Sequence, residues 1–259
     1  MVVSVHLLPS LIPKGALRGG VAVVIDVLRA STTIVHALAR GCTAVVPCGE
    51  IDEARKVAQG LPRGSAILGG ERRGEPIPGF DLGNSPGEYT ADACRGKTLV
   101  MTTTNGTRAL LASLEADVVL VGAFVNLAAT VQRLIHETRP VHVVCAGTEG
   151  RVSYEDSLLA GALASRFVDL EHALGNDEAE IVRAMWERVQ EVVWSHEDHG
   201  GRPGEEPPLV RYLKRGAGGR RVMELGLGDD VAAAAAINRP DCQVVVELAR
   251  DPLRLVVSD

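Results

Sequence analysis

Four polar segments of the chain each follow a short apolar run, and together they supply carboxylates, arginines and hydroxyls. They are residues 26–33, 69–74, 102–108 and 145–156. Arginines, hydroxyls and backbone N–H groups bind anions, whereas carboxylates bind hard cations such as Mg²⁺. The four segments therefore indicate a site that holds a small anion beside a divalent cation.

Three carboxylates are the catalytic candidates. Asp26 ends an apolar run, where a buried charge is costly unless it meets a cation or several donors. It is a candidate Mg²⁺ ligand, although it could instead cap the following helix. Glu155 and Asp156 are adjacent, so they cannot face the same way on a helix. One of them is a candidate metal ligand or general acid/base, and Asp156 could instead complete a capping box with Ser153.

The anion-binding candidates lie in the first three segments. Arg29 and Arg72 carry guanidinium forks that suit carboxylate, sulfonate or phosphate oxygens, although a loop arginine is often only solvated. Residues 102–108 combine threonine hydroxyls with an Asn-Gly turn before a helix, which is typical of an anion cradle but also of a plain polar turn. The substrate-binding candidates are Arg29, Ser31, Glu71, Arg72, Thr103, Thr104, Asn105, Gly106, Thr107 and Arg108.

Apolar runs alternate with helical patterns over the first two thirds of the chain. Strands are predicted at the N-terminus and at 21–25, 44–46, 99–101, 118–121 and 141–144, and helices at 31–40, 51–59, 107–114, 127–138 and 155–170. This alternation predicts an α/β fold with a largely parallel sheet and helices on both faces. Ligands bind such sheets at the carboxyl ends of the strands, where the four polar segments fall.

The remaining regions are less regular. Residues 69–84 are predicted to form a long functional loop. The last third predicts an amphipathic helix at 177–195, a polar loop at 196–208, a Gly/Arg-rich turn at 215–221, a helix at 229–237 and a strand at 244–248. No linker divides residues 1–259, which predicts one α/β domain or two intertwined halves. A weak sequence similarity between residues 105–110 and 218–222 suggests an internal duplication.

Composition excludes several classes of protein. The net charge of −6 argues against nucleic acid and anionic membranes. No apolar stretch reaches the roughly 18–20 residues that span a bilayer, and the first residues lack the basic region of a signal peptide. No two of the five cysteines have CxxC spacing, which argues against a zinc site or a disulfide framework. We interpret them as small buried residues of a protein in a reducing cytosol. We expect a cytoplasmic protein that takes a small anionic substrate, with a homodimer as a candidate assembly.

The polar segments resemble those of the 2-phosphosulfolactate phosphatase family. The matching stretches, in the family's order, are 24–33, 70–72, 79–86, 103–109, 145–148 and 155–156, with looser matches at 219–221 and 226–230. The resemblance implies a three-layer α/β/α fold. It also implies Mg²⁺-dependent hydrolysis of (2R)-2-phospho-3-sulfolactate to 3-sulfolactate and phosphate, a step of coenzyme M biosynthesis in methanogens.

The mechanism expected on this basis assigns a role to each group of residues. Asp26 and Asp156 would bind Mg²⁺, with Glu155 nearby, and residues 103–108 would cradle the phosphate. Arg29 and Arg72 would hold the carboxylate or sulfonate. Water is favoured as the nucleophile, because Leu28 stands where a phosphoenzyme-forming DxD motif has its second aspartate, and attack by an aspartate that forms a phosphoenzyme is the alternative. The alternatives are a phosphatase for another 2-phospho-hydroxy acid and a non-catalytic binder of such acids, which would gain nothing from clustered carboxylates.

Overall fold

One mixed sheet organises the residues that the computed structural model describes, which are 1–199 and 205–258, with backbone alone at 197–199. Its eleven strands within these ranges are β1 (Val2–His6), β2 (Val21–Ile25), β3 (Ala44–Pro47), β4 (Ala66–Arg72), β5 (Glu75–Pro76), β6 (Thr98–Thr102), β7 (Val118–Gly122), β8 (Val141–Cys145), β9 (Ala173–Leu174), β10 (Val245–Arg250) and β11 (Leu253–Ser258). The strand order is β5-β4-β6-β3-β11-β10-β7-β2-β8-β1-β9.

Helices connect most of these strands. They are α1 (Ala30–Ala39), α2 (Ile51–Gly60), α3 (Ala91–Cys94), α4 (Gly106–Ala112), α5 (Leu127–Leu134), α6 (Tyr154–Asp169), α7 (Asp177–His199), α8 (Pro208–Leu213), α9 (Ala217–Glu224) and α10 (Gly228–Ala234). The predicted strands and the long helices at 155–170 and 177–195 are confirmed to within a few residues at each end. The predicted helix at 127–138 ends earlier, at Leu134.

Strand β2 shows why the fold has three layers. It is buried along its whole length. Val21, Val23 and Ile25 join a hydrophobic core with α6 and α7, whereas Ala22 and Val24 join a second core with α1 and α4. Alternate residues of a strand point to opposite faces, so both faces of the sheet are covered by helices. The predicted three-layer α/β/α class is confirmed.

The sheet is parallel in two blocks that an antiparallel hairpin separates. β2 pairs in parallel with β7 and β8, and β6 pairs in parallel with β3 and β4. Between the blocks stands the hairpin β10–β11, which runs antiparallel to β7 on one side and to β3 on the other. The carboxyl ends of β2 and β8, and of β4 and β6, therefore lie side by side.

Two predictions of irregular structure were wrong. Residues 69–72 belong to strand β4, so the loop before Asn84 is shorter than predicted. Strands β4 and β6 approach each other so closely at Gly70 that only glycine fits. A Cβ atom at this position would lie 2.0 Å from the Thr102 carbonyl oxygen. Glycine inside a strand often marks such an approach. The predicted turn at 215–221 is mostly helix α9, where Gly219 packs against the Leu213 carbonyl oxygen.

The predicted loop at 196–208 is only partly within the described residues. Helix α7 continues to His199, and α8 begins at Pro208. Residues 200–204 lie outside the described ranges. Among the described residues, no helix has both the length and the apolar character that crossing a bilayer requires.

Candidate active site

A cavity of about 400 Å³ opens at the carboxyl ends of β2, β4, β6 and β8. Each of the four polar segments contributes two or more residues to its lining, namely Asp26, Leu28, Arg29, Glu71, Arg73, Gly74, Thr104, Asn105, Thr148 and Glu149. Asn84 and one face of helix α9 complete the wall. The sheet topology thus brings together segments that are far apart in the sequence.

Asp26 lies on the cavity lining directly after β2. Its Oδ1 accepts a hydrogen bond of 3.2 Å from the Ala30 N–H, so it does interact with the first turn of α1. Ser31 fixes the same turn, because its hydroxyl accepts from the Asp26 N–H at 2.9 Å. The Oδ2 atom faces the 103–106 turn: a Cβ atom on Gly106 would lie 2.9 Å from it. Only glycine allows the turn to approach the carboxylate this closely.

Asp156 connects the segments that follow β2 and β8 through two hydrogen bonds. Its Oδ1 accepts from the Val27 N–H at 2.8 Å, and its Oδ2 accepts from the Gly147 N–H at 3.0 Å. The alternative that it forms a capping box with Ser153 was wrong, because the Ser153 hydroxyl instead pairs with Thr148 at 2.7 Å. Asp156 therefore positions the loops after β2 and β8.

Glu155 is the carboxylate with an unused oxygen. Its Oε2 has no hydrogen-bond partner within the described part of the chain. Helix α9 packs directly on this side chain, because Cβ atoms at Gly218 and Gly216 would lie 1.9 Å from Oε1 and 2.4 Å from Oε2. A buried acceptor without a partner points to a missing donor or cation.

Burial disfavours the charged forms of these carboxylates, and repulsion by neighbouring carboxylates adds to this effect for Asp26 and Asp156. Their exposed fractions are 7% for Asp26, 1% for Glu155 and 2% for Asp156. Burial raises the pKa of Asp26 from 3.8 to about 7, against the opposing Ala30 N–H bond and with help from the charges of Glu71 and Glu155. Burial likewise raises the pKa of Glu155 and, with the charges of Asp26 and Glu155, that of Asp156.

Whether a divalent cation fits this site depends on how many carboxylate oxygens are free to bind it. In the described ranges, no three His, Cys, Asp or Glu side chains already form a metal-ligand cluster. Mg²⁺ does not need one, because it usually takes one or two carboxylates and completes its shell with water and phosphate oxygens. Asp26 and the partnerless Oε2 of Glu155 fit this pattern, whereas both oxygens of Asp156 are occupied by N–H groups.

Comparison with known proteins decides the family. The model of the 2-phosphosulpholactate phosphatase family matches residues 6–250. This chain belongs to that family. Three relatives named probable 2-phosphosulfolactate phosphatase come from Parasynechococcus marenigrum (41% identical over 212 residues, 81% of each chain), Gloeobacter violaceus (37% over 239 residues, 92% of each) and Clostridium acetobutylicum (39% over 219 residues, 85% of this chain and 86% of the relative).

Arg29 and Arg72, the two arginines predicted to hold the carboxylate or sulfonate of the substrate, are already engaged by the protein. Arg29 lines the cavity, but its Nη1 contacts Asp230 at 2.7 Å and Ser85 at 3.1 Å, and its Nη2 donates to the Gly74 carbonyl at 2.8 Å. This buried network attaches α10 to the site. Arg72 is not among the lining residues.

The guanidinium of Arg72 is instead used in packing. It donates to the carbonyl oxygens of Glu71 at 2.9 Å and Gly49 at 3.3 Å, and to the Thr102 hydroxyl at 2.8 Å. These contacts hold the end of β4 against β6. Arg72 therefore stabilises the cavity wall without lining the cavity itself.

Glu71 shapes a turn of the cavity wall. Its Oε1 accepts from the Thr104 N–H at 2.7 Å, and its Oε2 accepts from the Gly74 N–H at 2.7 Å and the Thr104 hydroxyl at 3.2 Å. The turn between these contacts carries Arg73, whose φ of 54° is in the left-handed region. Glu71 thereby holds Arg73 at the lining.

The predicted phosphate cradle at 103–108 divides into two groups. Thr103 and Thr107 are buried and bond each other's N–H groups at 3.1 Å, so they close the turn. Thr104 and Asn105 line the cavity, and the Asn105 side-chain oxygen accepts from the Glu149 N–H at 3.1 Å. Arg108 is exposed and lies outside the lining.

Sequence reasoning missed two arginines and the wall that carries one of them. Arg73 and Arg221 both line the cavity, together with Ala217, Gly218, Val222 and Leu225 of and beside α9. The Arg221 Nη2 donates to the Arg73 carbonyl at 3.4 Å. Its ion pairs with Glu75 and Glu224 are long, at 3.9 Å each, and exposed. The loose family match at 219–221 was the available signal.

Proposed function

We propose that this protein is a Mg²⁺-dependent phosphatase that hydrolyses 2-phospho-3-sulfolactate to 3-sulfolactate and phosphate. Membership of the 2-phosphosulpholactate phosphatase family supports hydrolysis of a phosphate monoester. The observation that carries the metal dependence is the buried, unpartnered Oε2 of Glu155, whose charge acts on the cavity-lining Asp26 although Glu155 itself is not among the lining residues. Both carboxylates are unstable as anions in this setting, and a cation would relieve that cost.

Asp26 and Glu155 would hold the cation, and Asp156 would position the loops around it. Bound Mg²⁺ supplies neutralisation of the phosphoryl oxygens and a more acidic coordinated water. The chain itself contributes Thr104, Asn105 and Asp26 at one end of the cavity. A substrate phosphoryl group at that end would meet polar groups that the sheet already fixes, which limits the entropy lost on reaching an in-line geometry.

Arg73 and Arg221 would bind the carboxylate and sulfonate of the substrate. Both line the cavity, and within the described residues no hydrogen bond or ion pair engages the guanidinium of Arg73. The weak, half-exposed pairs of Arg221 leave its charge available. Planar guanidinium forks suit both kinds of oxyanion. Arg73 and Arg221, rather than Arg29 and Arg72, would therefore recognise the carboxylate and sulfonate of the substrate.

Phosphate release from four substrates tests the proposal. Phosphosulfolactate should be hydrolysed faster than phospholactate, phosphoglycerate and phosphoglycolate, EDTA should abolish release, and Mg²⁺ should restore it. Faster release from an unsulfonated acid would support the alternative 2-phospho-hydroxy acid substrate and would remove the assignment to coenzyme M biosynthesis. Binding without hydrolysis of any of the four would support the non-catalytic alternative.

Metal binding has a separate readout in the free protein. A ligand that binds only the folded state raises the melting temperature. Mg²⁺ should therefore stabilise the wild-type chain and have no such effect on Asp26→Asn. Activity that persists in EDTA, together with no thermal shift, would contradict the metal proposal and leave the phosphatase proposal standing. Cytoplasmic location and a homodimer stay predictions.

A further inference from the structure

A second cavity, of about 330 Å³, opens beside helix α1 and shares no lining residue with the active-site cavity. Its wall includes Arg40 and His36 of α1, Arg239 near the end of the chain, Thr90 before α3, and Ala233 of α10. The proposed reaction does not use these residues. Their chemistry is that of an anion site.

Two guanidinium groups converge at this cavity on a single carboxylate. The Arg239 Nε donates to the Asp241 Oδ1 at 2.7 Å, and Arg40 pairs with the Oδ2 of the same residue. Each guanidinium carries five N–H donors, so one carboxylate can use only part of them. The local charge of these three groups is +1, which favours a further anion.

His36 supplies an independent sign of a missing partner. It is 4% exposed, it lines the cavity, and within the described ranges its Nε2 has no hydrogen-bond partner. Burial, together with the charges of Arg239 and Arg40 and against the opposing charge of Asp241, lowers the pKa of His36 to about 4. A buried polar atom without a partner is rare in folded proteins and calls for an explanation.

We propose that this second cavity binds a small oxoanion of the phosphate type between Arg40 and Arg239, next to His36. Guanidinium groups bind tetrahedral oxoanions through paired N–H donors. The oxoanion would neutralise the excess positive charge and give the imidazole a polar neighbour. The proposal does not depend on which substrate the active site takes.

The second cavity lies next to two segments that also support the wall of the active-site cavity. Its lining residue Pro86 follows Ser85, and its lining residue Ala233 lies on α10 one turn after Asp230. Ser85 and Asp230 are the partners that hold Arg29 in the active-site wall. The two segments that hold Arg29 therefore also contribute residues to the second cavity.

Inorganic phosphate is the probe for the test, and the His36 ring signals in NMR of histidine-labelled protein are the readout, assigned with His36→Gln. The signals should shift saturably with phosphate in the wild type. Arg40→Gln and Arg239→Gln should each weaken binding by about tenfold or more, because each removes a charge-assisted contact. Asp241→Asn should strengthen binding, because it removes the carboxylate that competes for both arginines.

Arg55→Gln is the matched control, since it breaks another Arg–Asp pair at the surface, with Asp52, and should leave the His36 response unchanged. Partly exposed pairs contribute little stability, so all these variants should fold, and circular dichroism checks this. Wild-type response in both arginine variants would overturn the proposal. So would weaker binding in Asp241→Asn, because that outcome assigns the three residues a structural role only.

Discussion

The two sides of the active-site cavity are built in different ways. One side, the floor, consists of residues at strand ends, among them Asp26, Glu71 and Thr104, which the parallel sheet brings to one edge. The other side, the roof, is helix α9, whose glycines pack on Glu155, and the next helix, α10, is attached to the site by the buried Arg29–Asp230 pair. The floor depends on sheet topology, whereas the roof depends on a few tertiary contacts.

This difference predicts which property each side controls. A change to Asp26 in the floor should remove activity and leave stability almost intact, because the fold disfavours its buried charge. Changes to roof contacts should first cost stability.

Asp26→Asn should lower kcat by about 10²- to 10⁴-fold, the range that a positioned acid/base or metal ligand contributes. Its melting temperature without Mg²⁺ should be unchanged or higher, because the variant removes a buried charge that the fold disfavours. Phosphate release and thermal unfolding measure the two effects. Asp52→Asn, at an exposed site, is the control. A large loss of stability with retained kcat would place Asp26 among the structural caps.

Asp230→Ala should cost about 3–5 kcal/mol of unfolding free energy, because it leaves the Arg29 charge buried without its partner. Urea denaturation measures the loss. The neighbouring Asp229 is exposed, so Asp229→Ala is the matched control and should change stability little. Equal stability of the two variants would show that the roof does not depend on the Arg29–Asp230 pair.

Gly218→Ala should cost about 1–3 kcal/mol, as overpacking does, because its Cβ would lie 1.9 Å from the Glu155 Oε1. Helix propensity alone predicts the opposite sign, a gain of about 1 kcal/mol. Gly60→Ala, at the end of α2 with nothing within 4 Å of the new Cβ, is the control. Stabilisation at residue 218 would mean that α9 does not press on Glu155.

Arg73→Gln and Arg221→Gln should each lower kcat/KM for phosphosulfolactate by one to two decades, corresponding to about 1.5–3 kcal/mol. Hydrolysis of p-nitrophenyl phosphate, which has no second anionic group, should fall much less. Arg72→Gln is the neighbouring control and should act equally on both substrates, because Arg72 packs behind the wall. The reverse pattern would return substrate recognition to Arg72.

The raised pKa of Asp26 predicts how the stability of the metal-free protein depends on pH. The pKa of Asp26 is raised to about 7 in the folded state, so between about pH 4 and 7 the folded state binds more protons than the unfolded state. Its contribution to stability is therefore present below about pH 4 and is lost as the pH rises to 7, at no more than about 1.4 kcal/mol per pH unit. Urea denaturation in EDTA should show this slope, and Asp26→Asn should reduce it.

The floor was largely predictable from sequence, and the roof was not. Valine-rich runs identify β2 and β8, and parallel topology then places Asp26 and the residues before Glu155 at one edge. Helix α9 was taken for a turn because its glycines are poor helix formers, and their close packing on Glu155 and Leu213 leaves no periodic signal. Local patterns also carry no information about which of two adjacent arginines, Arg72 or Arg73, faces the cavity.

The position of the hairpin β10–β11 has a consequence for how the chain acquires its structure during synthesis. The hairpin joins the two parallel blocks of the sheet, yet it is translated after every other strand of the described chain. Until it emerges from the ribosome, β3 and β7 have open edges, which are templates for unwanted pairing. The nascent chain must therefore keep two half-sheets apart from neighbouring chains until residues 245–258 close the gap between them.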